Sequence, residues 1–117
     1  MKIPRADEDS KEFFRSILPE DSRIKIRPMF GNISAFINGN MFSGLFGSDL
    51  LVRLSEEGKR ELLDEKGASF LEPMKGRPMK EYVLIPKAWR DDPEIVRTWV
   101  QKSLEWTLKL PPKTTEK

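Results

Sequence analysis

Adjacent carboxylates such as Glu56-Glu57, Asp64-Glu65 and Asp91-Asp92 are side chains suited by type to general acid-base or cation chemistry. Such chemistry needs two groups converging on one pocket with separated pKa values, and neighbours in sequence at a helix end do not converge. Helix capping and solvation account for all three pairs. The sequence has no histidine and no cysteine, so it lacks the usual general base, the thiol nucleophile, the commonest metal ligand and any disulfide framework. No EF-hand-like spacing suggests an all-oxygen cation site. Gly39 to Gly44 echoes a phosphate loop, but Leu45-Phe46 follow where Lys and Ser or Thr are required. No catalytic, cofactor-binding or metal-binding residue is expected, and the chain is read as a non-enzyme.

The best electrostatic feature is Arg23, Lys25 and Arg27, which alternate with Ile24 and Ile26. On a strand these cations stand about 7 Å apart on one face, a spacing that suits successive backbone phosphates. Lys75, Arg77 and Lys80 are candidates to extend that face across a sheet. A solvated outer face paired with acidic helix residues explains the same pattern. Total charge decides nothing here. The pI of 8.9 rests on a net charge of +2, and Lys109, Lys113 and Lys117 against Glu116 carry all of it, so residues 1–108 are neutral.

The elements that position these groups follow from periodicity. Phe13, Phe14, Ile17 and Leu18 form the stripe of an amphipathic helix over Asp7 to Leu18, ended by Pro19. Arg23 to Arg27 is predicted as a strand, and Ile33 to Ile37 and Met41 to Phe46 flank Asn38-Gly39, a hairpin signal because both central residues need positive φ. Leu50 to Leu54 makes a fourth strand. Ser55 caps a second helix that docks by Leu62 and Leu63 and ends near Lys66-Gly67. Strands near Ser69 to Pro73 and Lys80 to Ile85 follow, joined by a loop from Met74 to Pro78. Asp92-Pro93 opens a last helix to about Leu108, with Asp92 as its cap. The order helix, four strands, helix, two strands, helix predicts an α+β domain: a two-layer fold with an antiparallel sheet of five or six strands and helices mainly on one face.

The 117 residues are enough for one core, expected over residues 1–110, with 111–117 as a disordered basic tail. No apolar leader is present, and the uncharged stretch Pro28 to Ser48 is too rich in Gly, Pro, Asn and Ser for a membrane span, so a cytoplasmic protein without membrane contact is expected. The apolar residues of the last helix, Trp99 and Trp106 among them, spread over an arc wider than one neighbour covers. Either this helix packs between the sheet and the first helix, or its Trp99 and Trp106 edge meets another protein.

Seven stretches in order, Arg27-Pro28-Met29-Phe30-Gly31, Asn38-Gly39-Asn40-Met41-Phe42, Leu50 to Leu54, Gly67 to Phe70, Tyr82 to Pro86, Asp92-Pro93-Glu94 and Trp99, together resemble the amino-terminal domain of the TfoX/Sxy family. The resemblance spans about Asp7 to Leu108. It implies a fold like that of secretion-chaperone-type domains. It also implies a role, because larger members are positive regulators of competence for DNA uptake that act with the cyclic-AMP receptor protein at promoters. It brings no catalytic residues or cofactor, and makes Met29, Phe30 and Gly31 the motif residues. Two departures stand out: Asn32 replaces a usual second Gly, and the carboxy-terminal helical domain of the larger members has no counterpart. The expectation is a small regulatory or adaptor domain working by protein contact, with the transcription machinery or a second copy of itself as partner. Direct nucleic-acid binding through the basic strand face is the alternative.

Overall fold

The computed structural model describes residues 5–29, 31–74 and 76–112; the side chains of Met29, Pro73, Met74 and Arg77 are outside that description. Helix α1 spans Glu8–Ile17, and its start is set by Asp7, whose carboxylate accepts the Ser10 N–H at 2.8 Å. Phe14 and Ile17 fill the core side of this helix.

Strands β1 (Lys25–Met29), β2 (Asn32–Ile37), β3 (Asn40–Phe46) and β4 (Asp49–Arg53) form the expected antiparallel meander. The β2–β3 turn has Asn38 at φ 51° and Gly39 at φ 82°, the two positive values its sequence demands. Between β2 and β3 the register slips after Ala35, leaving Phe42 as an extra residue that bulges into the core. Helix α2 (Glu56–Leu63) is capped by the Ser55 hydroxyl, which accepts the Gly58 N–H at 3.1 Å, and buries Leu62. Strands β5 (Ser69–Met74) and β6 (Arg77–Leu84) form a hairpin, and a 3-10 turn at Lys87–Asp91 leads into α3 (Pro93–Leu108). The sheet order is β1-β2-β3-β4-β6-β5, so β6 lies between β4 and β5.

Three boundaries and one helix cap differ from the sequence reading. The first strand starts at Lys25 rather than Arg23, because Asp21 accepts both the Arg23 N–H and its guanidinium and holds that residue in a turn. Helix α2 stops at Leu63, ahead of Lys66; Gly67, at φ 95°, turns the chain toward β5. The β5–β6 connection is a tight turn with Gly76 at φ 82°, not a five-residue loop, so β6 begins at Arg77. Asp92 opens α3 without capping it through its side chain, since the preceding 3-10 turn already directs its backbone.

All three helices pack on one face of the sheet. Phe14 and Ile17 of α1, Leu62 of α2, and Val96, Trp99, Val100 and Leu104 of α3 join Ile33, Ala35, Ile37, Phe42, Val52 and Val83 of the sheet in one apolar core. Helix α3 lies across β2, β3 and β4 and also against α1, which occupies the two sides of its wide apolar arc. No helix among the described residues is long and apolar enough to cross a membrane. Of the expected tail, Pro111 is held by Asn40, whose side-chain amide donates to the Pro111 carbonyl at 3.0 Å; residues 113–117 lie outside the described residues.

Candidate protein-contact surface

Among the described residues no helix lies on the opposite face of the sheet. Cross-strand register places Lys25 beside Phe36 and Arg27 beside Ser34, and farther across it pairs Leu51 with Leu84 and Arg53 with Tyr82. Side chains directly opposite each other share a face, so these residues line the open side. Leu51, Leu71 and Tyr82 form a second buried cluster there, with Met41, Phe46 and Leu84 half-buried around it. Two guanidinium groups lie over aromatic rings on this face: Arg27 at 5.5 Å from the Phe36 centroid and Arg53 at 5.9 Å from that of Tyr82. Arg53 also pairs with Glu81 at 3.2 Å. Burial holds the Tyr82 phenol above its ordinary titration range, with the nearby Arg53 charge opposing that shift.

Of the basic residues singled out in the sequence, the described ones do not adjoin in one stripe. Arg23 precedes the sheet and is bound by Asp21, at 2.7 Å between the terminal nitrogen and the carboxylate. Lys25 and Arg27 lie on β1, exposed on the open face. Lys80 is exposed on β6, four strand spacings or about 19 Å away. Lys75 and the side chain of Arg77 lie outside the described residues. Among the described residues Lys25 makes no ion pair.

The two tryptophans also separate. Trp99 is 9% exposed and belongs to the core, with the Lys102 ammonium 4.4 Å from its ring centroid. Trp106 is half-buried in a groove between α2 and α3, beside Leu54, Gly58 and Glu61. Lys102 spans that groove toward Glu61 at 3.9 Å.

Of the motif tripeptide, Phe30 and the Met29 side chain are outside the described residues, but Gly31 has an architectural role. It sits at φ 83°, its carbonyl accepts the Ala6 N–H at 3.2 Å, and a Cβ there would come within 2.6 Å of the Arg5 side chain. Asn32, where the family usually has Gly, is buried, and its side-chain oxygen accepts the Gly47 N–H at 2.9 Å. It thereby ties the start of β2 to the β3–β4 turn.

Sequence reasoning missed Ser103 and Arg90. Ser103 bridges α3 to two strands, and Arg90 stacks over Phe13 at 5.4 Å while donating to the Ser10 hydroxyl and the Ser48 carbonyl. Both are contacts between distant segments, with no local spacing to announce them. Beneath Arg90 is a cavity of about 20 Å³, the size of one water. The carboxylate pairs are exposed at helix ends, Glu56 pairing with Lys59 at 2.8 Å, and no cluster of three or more potential metal ligands occurs among the described residues.

The open side is a sheet face lined by Lys25, Arg27, Phe36, Met41, Arg53, Tyr82 and Leu84. A search of the curated proteins found no match. The family model of the TfoX N-terminal domain, however, matches residues 16–106, from the end of α1 to Trp106 and through every strand of the open sheet, and the chain belongs to that family.

Proposed function

We propose that this chain is a non-enzymatic cytoplasmic regulatory domain that acts by binding another protein through its open sheet face, in the control of genes for DNA uptake. The observation that supports this most is the helix-free face itself, where Phe36, Met41, Phe46 and Leu84 stay half-exposed over a buried apolar floor. An antiparallel sheet with one solvated face ordinarily alternates apolar-in with polar-out. Here Phe36, Met41, Phe46 and Leu84 hold outward positions, with Arg27 and Arg53 over the rings of Phe36 and Tyr82, a composition found where protein surfaces meet. Family membership supports the regulatory role, since larger TfoX relatives control competence. The test is to express the wild-type chain and a Phe36→Ser, Met41→Lys variant in cells lacking the native protein and to measure transcripts of the DNA-uptake genes. The wild type restores them and the folded variant does not; equal restoration by both removes the open face from the function.

A second reading is supported by Lys25 and Arg27, which stand one strand pitch apart beside half-buried Phe36 and suit the phosphates and a base of a single strand. Binding of that kind weakens steeply with salt and is lost in a Lys25→Glu, Arg27→Glu variant, as a mobility shift would show.

A further inference from the structure

We infer that β1 is a docking edge for an extended protein segment in which acidic and apolar residues alternate. The inference rests on the protein-contact reading and names the chemistry of the partner. Strand β1 is the outermost strand of an open sheet, and among the described residues its extensive contacts are with β2. Pro28 lies within the paired register of this strand, opposite Ile33. A residue without an N–H is tolerated there because that side of its backbone faces away from the ladder. By the two-residue repeat of a strand, the N–H and C=O of Ile26 face the same free edge.

The side chains beside that free backbone are sorted by face. Ile26 is in register with Ala35, which is fully buried on the helix side, yet Ile26 itself is 43% exposed. The core therefore ends at β1 with a large apolar side chain left at its rim. On the other face Lys25 and Arg27 flank Ile26, both exposed, and neither forms an ion pair among the described residues. An added strand would place an apolar side chain next to Ile26 and carboxylates next to Lys25 and Arg27. Main-chain hydrogen bonds would supply affinity and the alternation would supply register.

A second copy does not fit the same edge. Antiparallel pairing of two β1 strands would set Lys25 and Arg27 of each copy against those of the other on one face, and like charges placed directly opposite are destabilising. A nucleic acid would satisfy the two cations but leave Ile26 and its outward N–H and C=O unmatched.

The experiment titrates the ¹⁵N-labelled full chain with a capped six-residue peptide of alternating Glu and Val, with a Lys and Val peptide and with a thymidine oligonucleotide as comparisons. The Glu and Val peptide is expected to shift resonances of residues 24–29 and to slow exchange of the Ile26 amide several-fold. A Lys25→Glu, Arg27→Glu variant, its fold checked by its spectrum, is expected to bind that peptide about tenfold more weakly, as two cross-strand pairs turn from attractive to repulsive, and to gain affinity for the Lys and Val peptide. An unprotected Ile26 amide at saturating peptide, or shifts confined to Phe36, Met41 and Leu84, overturns the strand-addition inference while leaving protein contact through the open face in place. Protection by the oligonucleotide and not by the peptide overturns it in favour of phosphate binding. Failure of the open-face variant to alter transcription bears on the contact reading alone.

Discussion

The hydroxyl of Ser103, midway along α3, donates to the backbone carbonyl of Phe42 at the bulge of β3, and the same oxygen accepts the Arg53 N–H at 3.0 Å from the end of β4. One buried serine thus bridges a β3 carbonyl and a β4 N–H just past the last β3–β4 pair, Ser43 with Val52, and it fixes α3 over the central strands. Ser103→Ala would leave the buried Phe42 carbonyl and the part-buried Arg53 N–H without this partner, and a loss of about 2 kcal/mol is expected in urea denaturation. Four residues on, the Thr107 hydroxyl is buried with no hydrogen-bond partner among the described residues. Thr107→Val keeps the shape and removes that cost, so it should be neutral or more stable by up to about 1 kcal/mol.

Trp99 and Trp106 are expected to part company in mutagenesis. Trp99→Ala removes a core ring and should cost about 3–5 kcal/mol. Trp106→Ala, in a half-open groove, should cost less than about half of that because less of its surface is buried. Thermal melts of the two variants check the ordering, and equal losses would contradict the placement of the rings.

Tyr82 is the only tyrosine in the chain, so absorbance at 295 nm follows it alone. Its phenol should titrate above 10 in the native protein and return to the ordinary range in denaturant, because burial disfavours the phenolate. Replacing Arg53 by Gln should raise the native midpoint further. The neutral phenol is the form favoured by folding, so its contribution to stability is complete below the unfolded value and is lost as pH rises through the native one.

Acid should weaken the fold within a defined window. The backbone N–H of Ser10 holds Asp7 below its ordinary value of 3.8, and hydrogen bonds from Arg23 lower Asp21 to about 2. Depressed carboxylates stabilise fully above their unfolded value and lose that contribution as pH falls through the folded one. Denaturation midpoints should therefore fall between about pH 4 and pH 2, and Asp21→Asn should flatten part of that decline.

The sequence was most legible where one residue type has one physical use. Asn38-Gly39 dictated its turn, Ser55 its helix start, and alternation from Ile24 to Arg27 assigned the two faces of β1 correctly even though Asp21 delays the strand. Strand order was not legible. Nothing local to Lys80 reveals that β6 inserts between β4 and β5, so its distance from Lys25 and Arg27 emerges only from the assembled sheet. A sheet with helices on one face was expected from the element order, but which side chains line the open side was not, because Met41, Phe46 and Leu84 come together there only once strand order and register are set. Ser103, an unremarkable helix serine in sequence, gains its role from the Phe42 carbonyl 61 residues away.

The most direct measurement is affinity capture by the full chain from the cells that encode it, comparing wild type with the Phe36→Ser, Met41→Lys variant and with Lys66→Glu as an exposed control. Wild type and control are expected to retain one protein in stoichiometric amount, and the folded open-face variant to lose it. Capture that is absent, or equal for all three, would contradict the claim that this domain works by protein contact through its open sheet.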